Sequence, residues 1–81
     1  MIRLFFGNVD YRAIEQDLVE HFAIAGVRLS AVKILREART GKSRGFGFAE
    51  VNCSHLDKAL ALNEITFLNR KLRVVEAIER R

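Results

Sequence analysis

Proline is absent from this chain of 81 residues, and cysteine occurs only once. Without proline, and without any serine- or glycine-rich or low-complexity run, no linker divides the sequence, so residues 1–81 read as a single domain. One cysteine excludes an internal disulfide and fits a reducing compartment. Long hydrophobic runs are also missing. Stretches such as Ala23 to Val27 and Ala59 to Leu62 fall far short of the ~20 apolar residues that a membrane-crossing helix needs. No leader-like segment precedes the first strand-like run, so neither a signal nor a transit peptide is expected. A chain this short buries only about 60% of its unfolded surface. One small core is therefore expected, and no large enclosed active-site cavity.

What is present is an ordinary globular mixture, 49% hydrophobic and 30% charged. Fourteen Lys and Arg against ten Asp and Glu give a net charge of +4, a mild sign of a polyanionic partner. The distribution says more than the sum. Residues 36–44 carry Arg36, Arg39, Lys42 and Arg44 against Glu37, and residues 70–73 carry Arg70, Lys71 and Arg73. Residues 10–25 are acidic, with Asp10, Glu15, Asp17 and Glu20 against Arg12.

Strand-like and helix-like stretches alternate. Ile2 to Gly7 is short, aromatic and branched, as strands are. Ile14, Leu18, Phe22 and Ala25 recur at helical spacing over Ala13 to Ala25, and Gly26 ends the pattern. Val27 to Leu35 and Arg44 to Val51 read as strands separated by the polar loop Arg36 to Ser43. Ser54 to Asp57 has the form of a capping box ahead of a short second helix. A turn over Thr66 to Arg70 and a last strand over Lys71 to Glu76 follow. The order strand, helix, strand, strand, helix, strand predicts an α+β, ferredoxin-like βαββαβ fold: a four-stranded antiparallel sheet with two helices packed on one face.

In such a sheet the second face is uncovered, and side chains alternate between the two. Ile2, Leu4 and Phe6 share one parity, Arg3 and Phe5 the other. Val32 and Ile34 oppose Lys33, and Leu72 and Val74 oppose Lys71, Arg73 and Val75. In the third strand Gly45, Gly47, Ala49 and Val51 oppose Arg44, Phe46, Phe48 and Glu50. The charges assign Phe5, Phe46 and Phe48 to the open face, and the small residues opposite suit closely packed helices. Exposed aromatics interleaved with cations suit single-stranded nucleic acid, whose bases stack and whose phosphates attract the cations.

At these residues the chain resembles the RNA recognition motif family. Arg44-Gly45-Phe46-Gly47-Phe48 matches the first five positions of the family's octamer, and Leu4 to Val9 is similar to its first-strand hexamer. Leu68 to Val74, with Glu76-Ala77 after it, is also similar to the small glycine-rich members of bacteria and plants. The resemblance implies that Phe5 and Phe48 each stack beneath a base, that Phe46 lies against the sugars between them, and that Arg44 contacts a phosphate. It implies base contacts at Arg73 and Val75, face positions of the fourth strand, and makes Lys33 the second strand's candidate. Arg3 on the face, Asn8 at the end of the hexamer and Lys42 in the basic loop complete the candidate RNA-binding set. The sequence departs from the family's pattern in several places. Ala49 and Val51 are smaller than usual, Val75 replaces a polar residue, Ile14 a capping threonine, and Glu64 a glycine. The Gly26 to Ile34 segment is one residue longer.

Other chemistries fare worse. Thr40-Gly41-Lys42-Ser43 lacks the earlier glycine of a phosphate-binding loop and joins two strands. Glu50 stands where a dinucleotide fingerprint needs its third glycine. Cys53 and His55 have no second cysteine to complete a zinc site and no orienting partner to make a nucleophile and base. Cys53 reads as a small residue at a strand end, His21 as a residue at the solvent edge of the first helix, and Tyr11 as a packing residue. The expectation is a monomer that binds short single-stranded RNA, with single-stranded DNA as a second possible ligand, in post-transcriptional RNA binding or chaperoning. No enzymatic activity, cofactor, metal or membrane association is expected. The cytoplasm is the expected compartment, with the nucleus or an organelle as alternatives. A protein-interaction module on the same fold is the rival reading. Against it, the aromatics are intact and the loop Thr66-Phe67-Leu68-Asn69 lacks the Arg-x-Phe of peptide-binding variants.

Overall fold

The computed structural model describes residues 1–77. Strand β1 (Ile2–Gly7) leads to helix α1 (Glu15–Ile24), then to strands β2 (Leu29–Arg36) and β3 (Ser43–Val51). A 3-10 turn (Cys53–His55) feeds helix α2 (Leu56–Leu60), and three short strands follow: β4 (Thr66–Phe67), β5 (Arg70–Lys71) and β6 (Arg73–Glu76). The main sheet has the order β2-β3-β1-β6, with every neighbouring pair antiparallel, and β4 and β5 form a separate hairpin. The expected last strand is thus broken. Lys71 pairs with Thr66 in the hairpin, Leu72 is buried between, and only Arg73–Glu76 joins the main sheet.

One hydrophobic cluster holds the fold. Leu4 and Phe6 of β1, Ile34 of β2, Ala49 and Val51 of β3 and Val74 of β6 meet Leu18 and Phe22 of α1 and Ala59 of α2. Alternate strand residues thus pack against helix residues spaced four apart, each large side chain contributing about 1.5–3 kcal/mol by its burial. Helix α1 is shorter than its apolar pattern. Ile14 and Ala25 flank it and are exposed, because they cap its ends rather than extend its buried stripe. Ile14 has no side-chain oxygen to offer, and the Asp17 carboxylate accepts its N–H at 2.9 Å instead, half of a capping box. The second helical region starts earlier than expected: Asn52, not Ser54, caps it, its Oδ1 accepting from Ser54 N–H at 2.9 Å.

The extra residue before Ile34 has a definite place. Ser30 faces Glu50 and Lys33 faces Phe48, so Ala31 and Val32 both lie opposite Ala49. Ala31 takes a φ of +49°, and the insertion is a β-bulge. Because side chains alternate with a period of two, one inserted residue exchanges the faces. Leu29 before the bulge and Ile34 after it can therefore both be buried, and Lys33 points to the uncovered side.

Candidate nucleic-acid interface

A transverse row crosses the open face. Lys33 pairs with Phe48, Phe48 with Phe5, and Phe5 with Val75, one residue from each of the four strands. Phe46 stands beside the row, its ring centroid 5.8 Å from that of Phe5 and inclined by 28°, while Phe5 and Phe48 meet edge to face at 5.4 Å. The Arg3 guanidinium carbon lies 6.0 Å from the centre of the Phe48 ring, within cation–π range. Phe46 is 41% exposed and Val75 39%, and Phe5 and Phe48 are half-buried in their own cluster. Arg3, Lys33, Arg44 and Arg73 are exposed. The register sets Glu50 opposite Arg3, so a carboxylate shares that end of the face.

The small residues of β3 serve two different purposes. Ala49 and Val51 are core residues, as expected. The glycines are not there for the helices. A Cβ on Gly47 would come within 2.8 Å of the Lys33 carbonyl oxygen, so its hydrogen lets the β2 backbone approach. Gly45 has φ +82°, and a Cβ there would meet Tyr11 Cε1 at 3.2 Å. Together they set the strand from which Phe46 and Phe48 project.

At the edge where β1 ends, the structure adds to the sequence reading and corrects it. Asn8, at φ +54°, is already engaged: its Nδ2 donates to the Lys71 carbonyl at 2.9 Å, and its Oδ1 accepts from Arg70 Nη1 at 3.1 Å. It ties β5 to the end of β1. Tyr11 is not packed away but 60% exposed, with the Arg70 guanidinium 5.0 Å over its ring. Lys42 is exposed on the β2–β3 loop, which closes through Glu37 N–H to the Lys42 carbonyl at 2.8 Å. Nearby, Asp10 accepts the Arg12 backbone N–H at 2.8 Å, and this bond and the Arg12 guanidinium hold its carboxyl below the usual carboxylate range.

His21 is not at the solvent edge. It lies half-buried against Phe67 and Phe22, at 4.8 and 5.6 Å between ring centroids, and burial pulls its pKa down. Cys53 is exposed in the turn that it shares with His55. Among the described residues no three His, Cys, Asp or Glu are grouped to hold a metal ion, and no helix is long and apolar enough to cross a membrane.

Sequence reasoning missed one feature of the face. Beside Phe5 and Phe46 lies a depression bounded by Asn8, Glu64, Lys71 and Arg73. Glu64 stands out in the sequence only as a replaced glycine, and it keeps the left-handed backbone of one, at φ +65°.

A family profile described as RNA recognition motif matches residues 4–73. The chain belongs to that family. RNA-binding protein 34 of Rattus norvegicus is 41% identical over 80 residues, covering 95% of this chain and 18% of its own length. This RNA recognition motif chain therefore spans about a fifth of that relative. Among solved structures it is similar to RNA binding protein PG1, at TM-score 0.83 and 32% identity, over 100% of this chain and 99% of that one. The RNA binding domain of Hrp1, solved in complex with RNA, matches at TM-score 0.83 and 26% identity, over 96% of this chain and 46% of that one. The ferredoxin-like fold expected from the order of the elements is the fold that these structures share.

Proposed function

We propose that this RNA recognition motif binds short single-stranded RNA across its uncovered face, holding about two to four nucleotides without chemistry on them. The observation that carries the reading is the row Lys33, Phe48, Phe5 and Val75, with Phe46 stacked beside it. Phe5 and Phe48 serve as stacking platforms, at about 1–3 kcal/mol per base, and Phe46 takes the sugars between. Arg44 and Lys42 on one side, and Lys33 and Arg3 around the rings, meet the phosphates, while Arg73 on β6 reaches a base. Asn8 acts by holding the β5 backbone in place, and Val75 offers an apolar surface to a base. Family membership and the RNA seen on the matched Hrp1 domain support this reading. A single domain with two stacks and a few phosphate contacts suits modest affinity and post-transcriptional RNA binding or chaperoning.

Fluorescence anisotropy with random-sequence RNA and DNA oligomers, at low and moderate salt, tests the proposal. RNA binding that weakens with salt is expected, with a log–log slope of about −0.7 per neutralised phosphate. Comparable binding of the DNA oligomers would widen the ligand to any single strand. No binding at low salt would overturn the proposal and point to a peptide partner on the same face.

A further inference from the structure

The depression beside Phe5 and Phe46 carries charges of both signs within one recess. Around Lys33 and Arg44 the cations suit phosphate, and Glu50 lies at the far end of the face, opposite Arg3. Here a carboxylate, Glu64, shares the rim with Lys71 and Arg73. All three residues are exposed, and among the described residues none of their side chains makes a hydrogen bond or ion pair. The floor is open because Gly7, on the same face as Phe5 and opposite Arg73, has no side chain. A Cβ there would rest 3.6 Å from that of Arg73 and 3.7 Å from Phe5 Cε1. An L residue held at φ +65° is an uncommon choice where glycine is comfortable, and here it adds an acidic residue to the lining of an aromatic-walled recess.

A phosphate would be repelled by that carboxylate. A ligand that fits presents donors to Glu64 and acceptors to the two cations, and is flat enough to lie along an aromatic ring. Among the four RNA bases only guanine offers two adjacent donors, N1–H and the N2 amino group, on its Watson–Crick edge, with O6 and N7 as acceptors beside them. Cytosine and adenine each set an acceptor next to their amino group, and uracil flanks one N–H with two carbonyls. We infer that this recess reads a guanine, with the Glu64 carboxylate accepting from N1–H and N2–H and Arg73 or Lys71 donating to O6 or N7. The inference rests on the RNA-binding reading above: the rings by themselves tolerate any base, and the polar residues of the recess beside Phe5 select one.

The test uses uridine-rich RNA oligomers that carry one guanosine, inosine or adenosine at the same position. Inosine keeps O6, N7 and N1–H and lacks only the N2 amino group, so it isolates the second donor. Guanosine is expected to bind about tenfold more tightly than inosine or adenosine, the scale of one bidentate contact. In Glu64→Gln, which keeps size and removes the doubly accepting carboxylate, the ratio of guanosine to inosine should collapse toward one. Glu64→Gly, which fits the left-handed backbone, should lose the preference as well while melting no lower than the parent. Equal binding of guanosine and inosine by the parent, or an undiminished preference in both variants, would overturn the inference. These outcomes are separate from failure of the RNA-binding reading, in which none of the three oligomers binds at all.

Discussion

Single residues of β3 divide between two tasks, and the glycines show how narrow the tolerance is. Gly47→Ala drives a methyl group against the Lys33 carbonyl oxygen of the adjacent strand. The chain should lose about 1–3 kcal/mol, a usual cost of overpacking, read as a lower midpoint in denaturant unfolding. A midpoint equal to the parent's would mean that β2 yields freely at that contact. The face positions of Phe5, Phe46 and Phe48 were legible because charged neighbours mark parity along each strand. Asn8, Tyr11 and His21 were not, because their partners are distant in sequence: Lys71 and Arg70 hold Asn8, Arg70 covers Tyr11, and Phe67 covers His21. No local pattern marks such contacts. Glu64 was visible only as a residue out of place.

Elements and their joints carry a second prediction. Glu15, the first residue of α1, accepts the Ile34 N–H at 3.1 Å and an Arg36 Nη2 hydrogen at 3.3 Å, linking the helix to β2 just past the bulge. These bonds, the Ile34 N–H foremost, lower the Glu15 pKa below its ordinary 4.5. A carboxyl with a depressed folded pKa stabilises the fold above its unfolded pKa, and that contribution is lost as pH falls through the folded value. The melting temperature should therefore drop as pH falls below about 4.5, and drop less steeply in Glu15→Gln. Equal slopes in thermal melts of the two proteins would show that the joint carries no such linkage. Periodicity makes the order of elements readable, and the added length before Ile34 is visible in the sequence. What the length became, a bulge that exchanges the faces of β2, depends on pairing with β3 and so lay outside the sequence. The same holds for the break at Leu72, whose N–H and carbonyl bond to Ile65 and Glu64.

Across the whole molecule the phenylalanines fall into two populations with opposite expected phenotypes. Phe6 and Phe22 are fully buried and pack together at 5.3 Å between ring centroids. Truncating Phe22 to Ala should cost about 3–5 kcal/mol, most of the stability of a small domain, and circular dichroism should show a largely unfolded chain. Retention of native melting would contradict the placement of the core. Phe46 and Phe48 point away from that cluster, so their loss should spare the fold and strike the ligand. Phe48 is proposed to stack a base and Phe46 to lie against the sugars beside it, which anisotropy with single-stranded RNA on the parent and on the folded Phe46→Ala, Phe48→Ala double variant tests without intermediary. A loss of at least about tenfold in affinity, with the circular dichroism spectrum unchanged, is predicted from two lost ring contacts. A folded double variant that binds RNA as tightly as the parent would contradict the stacking mechanism.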